Sequence, residues 1–240
     1  MIELTLLVPL YNEAHCIEEN FSKLEEYLSG QGEEYEILLV NDGSSDSTAE
    51  IVDRLAAERP HARALHTSHN RGKGHAVRSG MLNSKGKFIV FTDADLAVPV
   101  IFIGSCLSEL RRGARVVIGS RHLPESVFKV RQGFMRQFLG EVFRRFTVLA
   151  LRLRVSDVTC GLKGFEKSAA LEIFSRSRIE RWGYDAEILF LARRLGHTIK
   201  EIPVEWAHRD NSKVRIVTDT LRTIGEIVKI HCLFIAKKYR

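Results

Sequence analysis

Two aspartates separated by one residue follow a short apolar stretch near the middle of the chain. Residues 88–92 are rich in β-branched and aromatic side chains, and Asp93 and Asp95 come directly after them. This pattern predicts a buried strand with carboxylates at its carboxyl end, where open α/β sheets bind ligands. Adjacent carboxylates repel each other unless a cation holds them, and Mg2+ or Mn2+ commonly bridges carboxylates to nucleotide phosphate. The alternative is a polar turn that closes a strand, because Asp-x-Asp alone is common.

The composition sets the class of protein. With 240 residues, 45% of them hydrophobic and 28% charged, the chain suits one large α/β domain. The net charge of +6 indicates an anionic partner: nucleotide phosphate, nucleic acid or an acidic membrane surface. Nucleic acid is disfavoured because no nucleic-acid-binding motif is present. The four cysteines form no zinc or disulfide pattern. No apolar stretch approaches the roughly 20 residues that cross a bilayer, so we expect a soluble or peripheral protein.

Strand-like runs alternate with helical patterns through the first half of the chain. Strands are predicted at 3–9, 35–41, 62–67, 88–92 and 115–119. The alternation predicts a mostly parallel central sheet with helices on both faces.

The second half departs from this alternation. It contains a long basic amphipathic stretch at 132–153, a loop or edge strand at 157–165, a helix at 184–195 and a late strand at 199–206. The last stretch, 214–240, has apolar residues at helical spacing among basic ones. Such a helix either packs its apolar face on the domain or lies on a membrane surface, and both interpretations stay open.

Acidic or glycine-containing strand ends fall on one side of the predicted sheet. There the sequence resembles the family 2 glycosyltransferases in three motifs that occur in order: Val8-Pro9-Leu10-Tyr11-Asn12-Glu13, Val40-Asn41-Asp42-Gly43-Ser44-Ser45-Asp46 and Asp93-Ala94-Asp95. It is similar in particular to the branch that makes dolichyl-phosphate mannose and dolichyl-phosphate glucose, through Asn70-Arg71-Gly72-Lys73-Gly74, Gly119-Ser120-Arg121, Asp157-Val158-Thr159-Cys160-Gly161-Leu162-Lys163 and Trp182-Gly183-Tyr184-Asp185. The resemblance covers nearly the whole chain. It implies a GT-A fold in a single Rossmann-like domain, an inverting mechanism, a nucleotide-sugar donor and a polyprenyl-phosphate acceptor.

The resemblance assigns donor-binding roles to matching positions. The implied nucleotide-binding residues are Pro9, Tyr11, Glu13, Asp42, Lys73, Asp93 and Ala94. Asp95 matches the principal metal ligand, and Asp93 lies beside it on nucleotide or metal. Ordinary helix-start chemistry is the alternative for Tyr11 and Glu13. Ala97 stands where relatives with Asp-x-Asp-x-Gln carry a further metal ligand, so water or phosphate must supply one ligand of the expected Mg2+ or Mn2+.

Basic residues from later loops match groups that hold phosphate or acceptor in the family. They are Arg121, Arg131, Arg136, Arg209 and Lys213, and a solvated surface position is the alternative for the first three. Asp185 matches the position where the wider family often places a general base. It is a base, an acceptor-orienting group or a helix cap, and we favour orientation because a phosphate acceptor is already ionised. The predicted catalytic residues are therefore Asp95, Asp185 and Arg121.

The resemblance implies a metal-dependent transfer of mannose from GDP-mannose or glucose from UDP-glucose to a polyprenyl (dolichyl) phosphate. We divide the chain into a GT-A catalytic domain, 1–213, and a C-terminal amphipathic segment, 214–240. The alternatives are a transferase that uses a sugar hydroxyl with Asp185 as base, and a non-catalytic nucleotide-sugar binder. Many relatives carry membrane-spanning helices, whereas no stretch of this sequence is apolar enough to span. We therefore expect the basic amphipathic stretches 132–153 and 214–240 to dock this protein on the cytoplasmic face of a membrane.

Overall fold

The computed structural model describes residues 2–130, 134–207 and 216–239, with side chains for all of these except 128–130, 134–139, 216–219 and 221. The strands are β1 Leu4–Leu10, β2 Tyr35–Asn41, β3 Ala62–His66, β4 Phe88–Phe91, β5 Val116–Ser120, β6 Val127–Val130, β7 Lys163–Glu166, β8 Ile199–Pro203 and β9 Glu205–Ala207. The helices are α1 Ile17–Ser29, α2 Thr48–Glu58, α3 Lys73–Asn83, α4 Ile101–Arg111, α5 Phe134–Ala150, α6 Lys167–Arg176, α7 Tyr184–Arg194 and α8 Ile216–Ile235.

The main sheet has the strand order β3-β2-β1-β4-β7-β5-β8, and β6 pairs with β9 in a second, smaller sheet. Strand β7 runs antiparallel to both of its neighbours, β4 and β5, and the other pairings of the main sheet are parallel. The carboxyl ends of β1, β2, β4 and β5 therefore lie along one edge of the sheet, which we call the carboxyl edge. The amino end of β7 lies at the same edge.

Two hydrophobic clusters cover the two faces of this sheet. Because side chains alternate along a strand, Leu6 and Val8 enter one cluster while Leu7 enters the other. The first cluster includes α1, α2 and α4, and the second includes α3, α6, α7 and α8. The α/β architecture predicted from the alternating pattern is confirmed, and the predicted strands of the first half are displaced by at most one residue at each end.

The second half contains the larger differences from prediction. The segment expected to be a loop or an edge strand forms β7, which lies inside the sheet between β4 and β5. Strand β7 can pack inside the sheet because Gly164 leaves room for the side chain of Cys106. A Cβ at position 164 would lie 2.4 Å from Cys106 Sγ. The late strand predicted at 199–206 divides into β8 and β9, which belong to different sheets. Helix α6 and strand β6 were not predicted.

The C-terminal helix packs on the domain. Ile227 and Ile230 of α8 are buried in the second hydrophobic cluster, and Phe234 meets the ring of Phe190 edge-on with centroids 5.5 Å apart. The opposite face of α8 exposes Val228 and Ile235. Among the described residues, every helix is too short or too polar to cross a bilayer.

Candidate active site

The loops that follow β1 and β2 are tied together at the carboxyl edge. Asn12 has a positive φ of 53°, a conformation that asparagine tolerates better than most residues. Its Oδ1 accepts the backbone N–H of Ser45 at 2.8 Å, and its own N–H donates to Ser44 Oγ at 2.9 Å. This arrangement leaves the ring of Tyr11 on the surface and places Glu13, whose N–H donates to Thr48 Oγ1, at the start of the loop into α1.

Asp42, at the end of β2, holds the loop that leads into α3. Its buried carboxylate accepts the backbone N–H of Gly72 at 2.6 Å and that of Arg71 at 3.2 Å. Gly72 has a φ of 117° and lies against the carbonyl of Glu180, which explains the glycine at this position. The carboxylate predicted to meet a nucleoside therefore has a structural task as well, because it orients the first turn of α3 and with it Lys73.

Lys73 forms an ion pair with Asp93, which follows β4. Burial lowers the pKa of Lys73, but the carboxylates of Asp93, Asp185 and Asp95 outweigh burial and the net shift is upward. Asp93 is enclosed on its other side by Gly161, where a Cβ would lie 2.1 Å from Asp93 Oδ2. The ammonium of Lys73 is therefore a fixed positive charge among three carboxylates.

Asp95 lies in the same group of charges. Burial and the neighbouring carboxylate of Asp93 raise its pKa, while the N–H of Ala97, which donates to Asp95 Oδ1 at 3.0 Å, and the charge of Lys73 only partly offset them. A raised pKa means that the ionised carboxylate is under-compensated, which is the condition that a divalent cation relieves. The donor set, carboxylate oxygens beside a lysine, fits Mg2+ or Mn2+ with water and phosphate completing the ligands.

Asp185, at the second position of the first turn of α7, is buried against Lys163 of β7. Lys163 is fully buried, and its Nζ donates to Asp185 Oδ1 at 2.5 Å and to the carbonyl of Cys160 at 2.7 Å. Burial raises the pKa of Asp185, and the ammonium groups of Lys163 and Lys73 only partly offset it. The Asp185 side chain binds Lys163 rather than capping α7, whose N-cap residue is Gly183.

Arg121, after β5, is held by Asp157. The guanidinium donates to Asp157 from Nε at 2.7 Å and from Nη2 at 2.9 Å, and Nη2 also donates to Thr159 Oγ1 at 2.9 Å. The guanidinium carbon lies 5.6 Å from the ring centroid of Trp206. The Nε and Nη2 edge of the guanidinium is thus fixed in place, so Arg121 is not the freely solvated surface residue that was considered as the alternative.

The structure brings most of the predicted residues to the carboxyl edge. Lys73, Asp93, Asp95 and Asp185 form one group of charges, and Ala94 is buried beside them with its carbonyl accepting from Asn20. The remaining predicted positions are Pro9 in β1, with Tyr11, Glu13 and Asp42 in the adjoining loops and Arg121 after β5. Arg131, Arg209 and Lys213 lie outside the described residues, as does the side chain of Arg136.

Two residues of the site were missed from the sequence. Lys163 lies within a quoted motif, but the glycine-containing run 157–165 was predicted to be a loop or an edge strand, and Lys163 was assigned no role. Gly161, whose missing Cβ makes room for Asp93, was likewise not selected. A lysine between apolar neighbours in a strand is the signal that could have found Lys163, because a buried ammonium requires a carboxylate partner.

Comparison with known proteins identifies the family. Residues 5–174 match the model of the family described as glycosyl transferase family 2. The chain belongs to glycosyl transferase family 2. The resemblance inferred from the three ordered motifs is therefore confirmed, and the protein is a hexosyltransferase of that family.

Within this family, the chain is similar to proteins named as dolichyl-phosphate β-glucosyltransferases. The dolichyl-phosphate β-glucosyltransferase of Dictyostelium discoideum is 33% identical over 95% of this chain and 74% of that protein. The enzyme of the same name from Saccharomyces cerevisiae is 30% identical over 100% of this chain and 77% of its own length. Glucosyl-3-phosphoglycerate synthase of Mycobacterium tuberculosis, solved with Mn2+, UDP and phosphoglyceric acid, superposes with a TM-score of 0.70 over 95% of this chain and 78% of that one, at 18% identity. That likeness supports the GT-A fold of this glycosyltransferase.

Proposed function

We propose that this family 2 glycosyltransferase moves glucose from UDP-glucose to dolichyl phosphate or a related polyprenyl phosphate, with inversion at the anomeric carbon. The observation that carries the proposal is the group formed by Asp93, Asp95 and Lys73 at the carboxyl edge, in a chain whose named relatives are dolichyl-phosphate β-glucosyltransferases. The mannosyl option weighed from the sequence has no support from these relatives.

Asp95, with Asp93 beside it, is the proposed holder of a divalent cation. Such a cation would supply electrostatic stabilisation to the diphosphate as the glycosidic bond breaks. Lys73 adds a permanent positive charge. Its ammonium already lies among the carboxylates that would hold the cation, so it can contact the same diphosphate. Tyr11, Glu13 and Pro9 are the proposed contacts of the nucleoside.

The acceptor side is assigned to Arg121 and Asp185. A phosphate acceptor is ionised near neutral pH, so it attacks without a general base, and Asp185 would orient it through a bound water. Transfer to a sugar hydroxyl would instead require Asp185 to accept a proton. Arg121 uses Nε and Nη2 on Asp157, and its Nη1 is the proposed contact of the acceptor phosphate. Arg131, Arg136, Arg209 and Lys213 are further proposed phosphate contacts.

The lipid acceptor calls for membrane contact, which we assign to the outer faces of α5 and α8. These two helices contact each other. Exposed apolar residues follow helical spacing on each of them: Val142, Phe146 and Leu149 on α5, and Val228, Cys232 and Ile235 on α8. Exposed Lys229, Lys237 and Lys238 lie on or just after α8, and a surface that combines apolar and basic residues suits an anionic bilayer.

The test is transfer of labelled hexose by the full chain, with UDP-glucose or GDP-mannose as donor and dolichyl phosphate in detergent, with and without Mg2+ or Mn2+. We expect glucose transfer that requires a divalent cation, and a loss of about 100-fold or more in kcat for Asp95→Asn. Asp53→Asn is the matched control, because Asp53 is an exposed residue of α2 that pairs with His66, and neither residue is assigned a part in transfer. Preference for GDP-mannose, or full activity of Asp95→Asn, would contradict the proposal.

A further inference from the structure

A residue of the C-terminal helix reaches the start of α7. Glu226 Oε2 accepts the backbone N–H of Gly183 at 2.7 Å, and Gly183 is the N-cap residue of α7. The approach is close, since a Cβ on Gly183 would lie 2.7 Å from the same oxygen. The first N–H groups of a helix have no partner inside the helix, so an acceptor from outside fixes the orientation of that turn. Asp185 lies in this turn, two residues after Gly183.

The C-terminal residues also hold the segment before α7, residues 178–183, through Glu187. Glu187, also in the first turn of α7, accepts the N–H groups of Arg178 and Ile179 at 2.9 Å and 2.8 Å and the hydroxyl of Tyr239 at 2.6 Å. Tyr239 follows α8, so both Glu226 and Tyr239 connect the C-terminal segment to residues 178–187.

Residues 179–181 in turn hold the first turn of α3. The carbonyl of Glu180 accepts the N–H of His75 at 3.0 Å, and the carboxylate of Glu180 pairs with Arg71. Gly74 lies directly against this segment, because a Cβ there would be 2.6 Å from the carbonyl oxygen of Ile179. Lys73 is carried by the same turn. The carboxylate of Asp185 and the ammonium of Lys73 thus depend on a segment that the C-terminal residues hold in place.

We propose that Glu226 is a positioning residue of the active site: by accepting the N–H of Gly183 it fixes the first turn of α7, and with it the carboxylate of Asp185. The inference rests on the proposed function, because it gives Asp185 its part in transfer. Glu226 touches neither donor nor acceptor and acts through the backbone of α7. It also connects α8, the helix assigned to lipid contact, with the reacting groups.

The experiment compares Glu226→Leu, which removes the acceptor, with Glu226→Gln, which keeps an amide oxygen for Gly183. Hexosyl transfer is measured with the full chain, UDP-glucose and dolichyl phosphate in detergent, so that membrane docking does not enter. We expect Glu226→Leu to lower kcat about tenfold with little change in the KM for UDP-glucose, because a displaced catalytic group costs rate more than donor affinity. Glu226→Gln should keep most of the activity.

Arg222→Gln is the matched control, an exposed residue one turn earlier on α8, and it should behave as the wild type. Gly183→Ala disturbs the same contact from the other side, since its φ of −72° accepts alanine while the added Cβ meets Glu226. It should lower kcat as Glu226→Leu does, and it replaces that variant if Glu226→Leu does not fold.

Hydrogen exchange supplies a readout that does not depend on the reaction. We expect faster exchange of the amides of residues 183–187 in Glu226→Leu, and wild-type exchange in Glu226→Gln and Arg222→Gln. Wild-type kcat in folded Glu226→Leu, or unchanged exchange at 183–187, would overturn the inference. If the wild-type chain transfers no hexose from UDP-glucose, the proposed function fails, whereas the exchange result still decides whether Glu226 holds α7.

Discussion

Asp157 and Asp185 are two buried carboxylates of the candidate site, and their pKa values shift in opposite directions. Burial acts to raise the pKa of Asp157, but the guanidinium of Arg121 and its hydrogen bonds outweigh burial and hold the pKa well below its usual range. Burial also raises the pKa of Asp185, and there the ammonium of Lys163 only partly compensates. Both carboxylates have a cationic partner within 2.7 Å, so proximity of a charge is not what separates them.

The difference lies in the geometry of the partner. Arg121 offers Asp157 two parallel guanidinium donors and a backbone N–H at 3.0 Å, and a planar fork of this kind matches both carboxylate oxygens. Lys163 offers Asp185 a single point charge and shares it with the carbonyl of Cys160. Asp157 is therefore locked as an anion that anchors Arg121. Asp185 remains an under-compensated anion, and a donor from a bound substrate would stabilise it.

The largest expected effect comes from Arg121→Met, which leaves Asp157 buried without its cation. We expect a loss of about 3–5 kcal/mol in the free energy of unfolding at pH 7, measured by urea denaturation, together with loss of hexosyl transfer. Because the folded pKa of Asp157 is depressed, its stabilising contribution is present above the unfolded pKa of about 4 and is lost as the pH falls below it. The difference from wild type should therefore shrink between pH 5 and pH 3.

Arg145→Met is the control, because Arg145 is exposed and pairs with Glu141 at the surface. Its expected cost is about 0–1 kcal/mol. A cost below about 1 kcal/mol for Arg121→Met would show that Asp157 gains little from the fork, and the contrast with Asp185 would need another cause.

A smaller loss, about 1–3 kcal/mol at pH 7, is expected for Lys163→Met, because Asp185 loses one charge-assisted hydrogen bond whereas Asp157 loses two in Arg121→Met. Without Lys163 the folded pKa of Asp185 rises further above its unfolded value. The folded variant then binds a proton at a higher pH than the unfolded chain does, so its deficit should narrow as the pH falls from 7 to 5.

The double variant Lys163→Met with Asp185→Leu tests the same pair in apolar form. Replacing both partners of a buried ion pair with apolar groups is often nearly neutral for stability, so the fold should recover while transfer does not. If Lys163→Met proved more destabilising than Arg121→Met, the order inferred from the two geometries would be wrong.

Local sequence patterns predicted the position of Asp93 and Asp95 better than the two buried ion pairs compared above. Asp93 and Asp95 could be placed at a strand end because the apolar run before them predicts β4, and the alternation of strands and helices predicts the common edge. The Arg121–Asp157 and Lys163–Asp185 pairs join residues 36 and 22 positions apart. No period or spacing in the sequence connects them, because only the packing of β5, β7 and α7 brings the partners together.

The position of β7 shows the same limit. Glycine and lysine in a short run are typical of an edge or a loop, and residues 157–165 were predicted to form a loop or an edge strand. In the structure Lys163 lies opposite Phe91 of β4 and Ile118 of β5. The strand is buried because Asp185 neutralises the lysine, and that partner is supplied by an element that folds onto β7 from later in the chain.

A third buried carboxylate gives the smallest expected effect and sharpens the comparison. Glu187 accepts two backbone N–H groups and the hydroxyl of Tyr239, and burial raises its pKa in spite of them. Tyr239→Phe removes one neutral donor, so we expect a loss of about 1 kcal/mol in urea denaturation at pH 7. Tyr27→Phe is the control, because it removes a longer, exposed hydrogen bond, from the Tyr27 hydroxyl to the carbonyl of Ile101 at 3.3 Å. A loss as large as that of Arg121→Met would mean that neutral donors, rather than the guanidinium fork, set how firmly this protein holds a buried carboxylate.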